Sequence, residues 1–333
     1  EYFVTLSSLI VLALNSCEEA YCRDYTQQHL KKPRKVANTA TLAAHSHPIE
    51  GLPIMMSIQL KRIVRISPLL FICLMNQSAA KLMVVIEQAA VSGGYLIVQT
   101  DPGNSVQFQD RLYQTDSDGY LAIGIGRELA GQHELAVTDD IGQTESLDLW
   151  IDSRSFNIQR VSGLPKELVT PPKSFTDRIV REAQAVKRAR AAGNELLFWR
   201  EEQFIWPAQG RISGVYGSQR YYNDIPGSPH WGVDIASPTG SPVIAPAGGI
   251  VVLAEADLYF SGGTLVLDHG GGLSSSFLHL SKLLVEVGQV VAQGQLLAEI
   301  GASGRATGPH QDWRMNLHGE RIDAVLWVDT PVP

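Results

Sequence analysis

The sequence predicts a mostly β chain: a small N-terminal β-sandwich, a helical linker and a C-terminal all-β domain. Three observations predict it. From residue 95, short β-branched or aromatic runs alternate with turn residues. One helical period falls within residues 174–188. From residue 206 onward, apolar runs are separated by glycine-rich turns, with no long helical pattern through residue 333.

The 333 residues suggest two domains with room for sizeable cores. The first 80 stand apart in composition. They carry 8 Lys and Arg against 5 Asp and Glu, leaving 19 basic and 29 acidic residues for the remainder. Residues 1–55 read as a non-functional extension, with Leu14-Asn15-Ser16-Cys17 only loosely like a lipobox. Residues 56–80 run MSIQLKRIVRISPLLFICLMNQSAA. Lys61, Arg62 and Arg65 precede a short apolar stretch, and Ser78-Ala79-Ala80 closes it with small residues. That order predicts a secretory signal cleaved after Ala80, and hence a protein of the periplasm or cell envelope. The apolar run is too short to span a bilayer.

Residues 81–162 form the expected sandwich. YLIVQT, SVQFQD, YLAIGIG, HELAVTDD and ESLDLWI are short runs separated by turn signals such as Asp101-Pro102-Gly103-Asn104 and Asp116-Ser117-Asp118-Gly119. His133 stands alone there and reads as a surface residue. Residues 163–205 are the linker and helix. Ser174 to Asp177 resembles a capping box, and Phe175, Ile179, Ala183 and Val186 recur at helical spacing. Arg178, Arg181, Lys187 and Arg188 mark the other faces, so a solvated connector is expected. Residues 206–330 form the second β domain.

Charge and cysteine usage exclude several functions. A net charge of -7 argues against a nucleic-acid partner. Cys17, Cys22 and Cys73 all precede residue 80, so the main body has no thiolate metal site, thiol nucleophile or disulfide. A metal centre there must use imidazole and carboxylate, a set that suits zinc.

Five residues of the second β domain carry that chemistry: His230, Asp234, His279, His310 and Asp312. On a straight strand His230 and Asp234 would lie roughly 13 Å apart. Sharing one ion therefore requires a bend, which Gly232 permits. His310 and Asp312 project from one strand face, so one can ligate while the other contacts water or substrate. His279 follows an apolar strand. His269 reads as structural and His318 as a loop residue.

Residues 206–328 resemble the lysostaphin/LytM-type (β-lytic) zinc metallopeptidases. The resemblance rests on WPAQGRISGVYGSQR, HWGVDIASPTGSPVIAPAGGIVV, SSSFLHLSKLLVEVGQVVAQGQ and IGASGRATGPHQDW. It implies an all-β LytM/lysostaphin-type peptidase domain, one zinc ion, and peptidoglycan peptide stems as substrate. By position it implies His230 and Asp234 as metal ligands and His279 and His310 as catalytic histidines. The family's closing His-x-His reads His310-Gln311-Asp312 here, so Asp312 stands where the third ligand is expected. The glycines at 262, 263, 270–272, 304 and 308 would let a peptide backbone approach closely. The implied function is a zinc metalloendopeptidase of the cell wall. The alternative is a degenerate, non-hydrolytic member that binds the wall or activates a separate amidase.

Overall fold

A computed structural model describes residues 85–161, 169–191, 193–194, 197–222 and 224–329. The expected extension (1–55), the export signal (56–80) and all three cysteines lie outside the described residues. Among the described residues no helix is long and apolar enough to cross a membrane.

Seven strands build the N-terminal part: β1 (Val85–Ala89), β2 (Tyr95–Gln99), β3 (Ser105–Phe108), β4 (Arg111–Gln114), β5 (Tyr120–Gly124), β6 (Gly131–Thr138) and β7 (Thr144–Ile151). They pair antiparallel as β1-β2-β5 and β4-β3-β6-β7. The alternation visible in the sequence sets the two faces. Leu96, Val98, Phe108, Ile123, Leu135 and Val137 belong to one buried cluster. Ala122, with Tyr95, Ile97 and Tyr120, belongs instead to the core of the C-terminal domain.

Four short strands follow: β8 (Ile158–Val161), β9 (Arg211–Gly214), β10 (Gln219–Tyr222) and β11 (Ile225–Pro229). β8 pairs in parallel with β10, and β10 pairs antiparallel with β11. The last strand of the segment assigned to the sandwich thus joins the C-terminal part. Its partner lies some 60 residues away, which no local pattern reveals.

The helix expected from the 3.6-residue period is α1 (Thr176–Arg190), and a single turn, α2 (Phe198–Glu201), follows. Two expectations are corrected here. Ser174 does not cap α1: it sits within a 3₁₀ turn, Lys173–Phe175, and no side chain caps either element. A capping residue needs an extended backbone, which a helical turn denies it. Nor is α1 only a solvated connector. Val186 and Ala189 pack against Leu253, Leu258 and Val266.

The C-terminal domain contains β12 (Val233–Ala236), β13 (Pro242–Ile244), β14 (Gly249–Leu258), β15 (Gly262–Gly270), β16 (Leu273–Leu283), β17 (Val290–Val291), β18 (Leu296–Ile300), β19 (His310–Leu317) and β20 (Glu320–Ile322). The main path is β17-β14-β15-β16-β19-β12-β9, with β20 paired to β19 and β18 bridging β13 and β16. On β19, Trp313, Met315 and Leu317 enter the apolar core with Leu265, Leu267 and Phe277. The residues between them, Asp312, Arg314 and Asn316, therefore point to the opposite face. All of β19 is buried, so that polar face is covered as well.

His269 is structural, as the sequence suggests. Its Nδ1–H donates to Gly248 O at 2.7 Å, and its Nε2 lies 2.8 Å from Ser275 Oγ, which also accepts from Trp313 Nε1. Burial pushes its pKa down to about 4. Because the folded value lies below the unfolded one, His269 supports stability above about pH 6.5, and that support fades as pH falls towards 4. His269→Gln should flatten this acid limb of the stability profile by roughly 3 kcal/mol. Urea denaturation between pH 4 and 7 measures it; an unchanged limb would contradict the assignment.

Candidate metal centre

β12 and β19 place the site. They pair antiparallel with Asp234 directly opposite Asp312, so both carboxylates share one face of the sheet. His230 lies between β11 and β12, where residues 230–232 leave the strand and supply the expected bend. His230 Nε2 consequently lies 3.0 Å from Asp234 Oδ1 and 3.5 Å from Asp312 Oδ2.

Two glycines make room for the carboxylates. A Cβ on Gly232 would stand 2.2 Å from Asp312 Oδ1 and 2.6 Å from Trp313 O. A Cβ on Gly214 would stand 2.1 Å from Asp234 Oδ2. The glycines of the expected groove mostly serve other needs. Gly270 to Gly272 adopt positive φ in the β15–β16 turn, and Gly262 and Gly304 pack against each other or Ser303.

The three histidines share one orientation. Nδ1 of His230, His279 and His310 lies 3.1, 2.8 and 2.8 Å from Val215 O, Ser303 O and Gly308 O. A carbonyl can only accept, so each Nδ1 carries the proton and Nε2 keeps its lone pair when the ring is neutral. His279 and His310 rings are 4.8 Å apart, and His310 Nε2 is 4.0 Å from Asp234 Oδ1. His279 adopts φ 64°, an uncommon backbone for a non-glycine residue, where the β15–β16 pairing shifts register. Such strain persists where surrounding contacts fix it.

All five residues are at most 4% exposed. Burial would raise the Asp234 carboxyl, but His230 outweighs it and holds it down to about 2. At Asp312 burial is again outweighed, by Arg314 and then His230, and the carboxyl stays well below its usual range. Burial would lower His230, yet Asp234 and Asp312 raise it: the site favours a positive charge at that nitrogen. For His279, burial and then His310 lower the imidazole to about 4, so it is neutral at pH 7.

Sequence reasoning missed two arginines. Arg314 grips Asp312 with Nε at 3.0 and 2.9 Å and Nη2 at 2.5 Å, both residues being fully enclosed. Arg220 Nη2 stands 3.4 Å from Asp234 Oδ2. The spacing from Asp312 to Arg314, two residues on a strand, was the available signal for the first. Nothing local signals the second.

The donor set fits a divalent cation. His230 Nε2 is buried and turned towards Asp234 Oδ1 at 3.0 Å and Asp312 Oδ2 at 3.5 Å. One ligand atom from each of His230, Asp234 and Asp312 lies within 4.8 Å of the others. Nitrogen with carboxylate oxygen suits zinc.

The description of peptidase family M23 matches residues 228–324. The peptidoglycan DD-endopeptidases ShyB and ShyA of Vibrio cholerae are 38% identical over 104 residues and 39% identical over 98 residues. Those matches cover 31% and 29% of this chain. They span about a quarter of the relatives' own length, 24% and 23%. A crystal structure of a peptidase M23 candidate from Pseudomonas aeruginosa superposes with a TM-score of 0.56 at 28% identity, covering 72% of this chain and 95% of that one.

The Asp312–Arg314 pair gives a direct test. Removing one member of a buried ion pair strands the other, so Arg314→Met should destabilise the metal-free protein by about 3–5 kcal/mol. The double variant Asp312→Asn with Arg314→Met should lose less than the single one. Chemical denaturation of the set in chelator reads this, and equal losses would contradict the pairing.

Proposed function

We propose, for a chain that belongs to peptidase family M23 through residues 228–324, that it is a zinc metalloendopeptidase cutting peptide cross-links of peptidoglycan. The observation that carries this reading is the convergence of His230 Nε2 with Asp234 and Asp312, all buried, one ligand atom of each lying within 4.8 Å of the others. The similarity to the peptidoglycan DD-endopeptidases ShyA and ShyB supports the substrate class. Export, expected from residues 56–80, would bring the chain to that substrate.

His230, Asp234 and Asp312 would hold one zinc ion. When bound, the ion supplies Lewis acidity that polarises a carbonyl and acidifies a water. The remaining work falls to the chain itself. His279 is neutral, its Nδ1–H is fixed on Ser303 O, and its Nε2 has no partner, which suits a base that accepts a proton from water. His310, with its ring against His279 and its Nδ1–H on Gly308 O, can bind and stabilise the oxyanion once protonated, or exchange roles with His279. His230 keeps Asp234 ionised, and Arg314 with His230 does so for Asp312. Enclosure of the site excludes water from around these groups.

A second reading follows from the Arg314 grip. Arg314 contacts both oxygens of Asp312, and a carboxylate so neutralised is a weaker metal ligand. This favours a non-hydrolytic member that binds the wall or activates a separate amidase.

Elemental analysis and digestion of purified peptidoglycan separate the two. The first reading expects one zinc per chain, lost in His230→Ala and Asp234→Ala, with release of cross-linked peptides. His279→Ala should keep zinc and slow turnover by about 10²–10⁴-fold. A folded wild-type protein without zinc or hydrolysis supports the second reading. Asp312→His should then restore zinc binding if the single departure is responsible.

A further inference from the structure

His230 is held by its backbone as well as by its ring. Its N–H donates to Ser218 O at 2.8 Å, and its carbonyl accepts from the Gly217 N–H at 2.7 Å. Its Nδ1–H points to Val215 O, which also accepts from Ser218 Oγ at 3.1 Å. One turn between β9 and β10, residues 215–218, therefore sets both the position of His230 and the direction of its ring.

That turn is gripped in its own right by the N-terminal part of the chain. Arg127, in the loop between β5 and β6, donates to Gly217 O from Nε at 2.8 Å and from Nη2 at 2.6 Å. Its remaining nitrogen, Nη1, pairs with Glu128. The guanidinium lies over the Phe156 ring at 4.3 Å, and Phe156 meets Tyr216 edge-on at 6.1 Å. Gly217 has φ 81°, and a Cβ there would stand 2.1 Å from Phe156 Cδ1. Glycine is thus required twice, by the backbone and by the close approach of Phe156. Hydrogen bonds from an ionised donor are the strong ones. Only 11% of the Arg127 side chain is exposed, so water competes little for that carbonyl.

We propose that Arg127 is a positioning residue for the metal centre: by holding Gly217 O it fixes the turn that carries His230, and so couples the N-terminal sheets to zinc affinity. A ligating imidazole must be kept within about 0.5 Å of its productive place. Groups that orient a ligand from behind commonly set metal affinity. Another contact between the same two parts has no such path to His230. Arg111 on β4 donates to His318 O at 3.0 Å and to Glu320 Oε1 at 2.8 Å, beyond the far end of β19 from His310. The role of Arg127 in zinc affinity rests on His230 being a ligand, as proposed above; its grip on the turn does not.

Full-chain Arg127→Met, with Arg111→Met as its control, tests this through two readouts that need no hydrolysis. In the metal-free protein, the Gly217 and His230 amides should exchange hydrogen about tenfold faster or more in Arg127→Met, while the amides of β12 and β19 keep their protection. Competition with a chromophoric chelator should show zinc held about tenfold more weakly. Arg111→Met should change neither quantity. If Arg127→Met does not fold, Arg127→Lys, which gives up one of the two bonds to Gly217 O, should show the same localised changes at about threefold. Unaltered exchange at Gly217 and His230 overturns the proposal, as does faster exchange with unchanged zinc affinity. Equal losses in Arg111→Met overturn it too, because they would reflect general loosening between the two parts. Localised loss of protection in a chain whose wild type takes up no zinc would leave the grip on His230 standing and sink only the metal reading.

Discussion

Two carboxylates buried side by side on adjacent strands set the terms for the rest of the site. Asp234 and Asp312 oppose each other on β12 and β19 in a region closed to solvent. Like charges in such surroundings repel strongly and lose their hydration. The structure answers with positive charge on every side: Arg314 on Asp312, Arg220 on Asp234, and His230 between the two. His230 Nε2 reaches both carboxylates, and His310 Nε2 stands 4.0 Å from Asp234 Oδ1. A divalent cation among these atoms would complete the balance.

The backbone is bent to serve the same end. The chain leaves its strand at His230 and returns at Val233, which brings together groups that a straight strand would hold roughly 13 Å apart. Gly232 and Gly214 stand where any side chain would strike a carboxylate. His279 accepts a left-handed backbone so that its ring meets His310. Behind this polar face, Trp313, Phe277 and Leu265 fill an apolar core that holds the strands in register. Cross-strand register, more than any single hydrogen bond, decides which side chains meet.

Much of this was legible in the sequence because it rests on local pattern. Alternation in YLIVQT gave the two strand faces, the helical period gave α1, and the His-x-x-x-Asp and His-x-Asp spacings gave four of the five candidate site residues, His279 standing out instead at the end of an apolar strand run. What stayed hidden depends on long-range pairing. Arg220 reaches Asp234 only because β9 and β10 fold back towards β12. β8 joins β10 across some 60 residues. Ser174 has a capping sequence, but the chain enters α1 through a 3₁₀ turn that removes the cap geometry. The basic faces of α1 suggested solvation, whereas Val186 and Ala189, three residues apart, already marked the packed stripe.

The central claim is that His230, Asp234 and Asp312 form one metal site despite the arginine on Asp312. Anomalous diffraction at the zinc absorption edge from crystals of the full chain tests it most directly. The account predicts one peak bonded to His230 Nε2 and to an oxygen of each carboxylate at about 2.0–2.2 Å, with Arg314 still hydrogen-bonded to Asp312. Zinc bound to His230 and Asp234 with Asp312 turned wholly to Arg314, or no peak at this site, would contradict it.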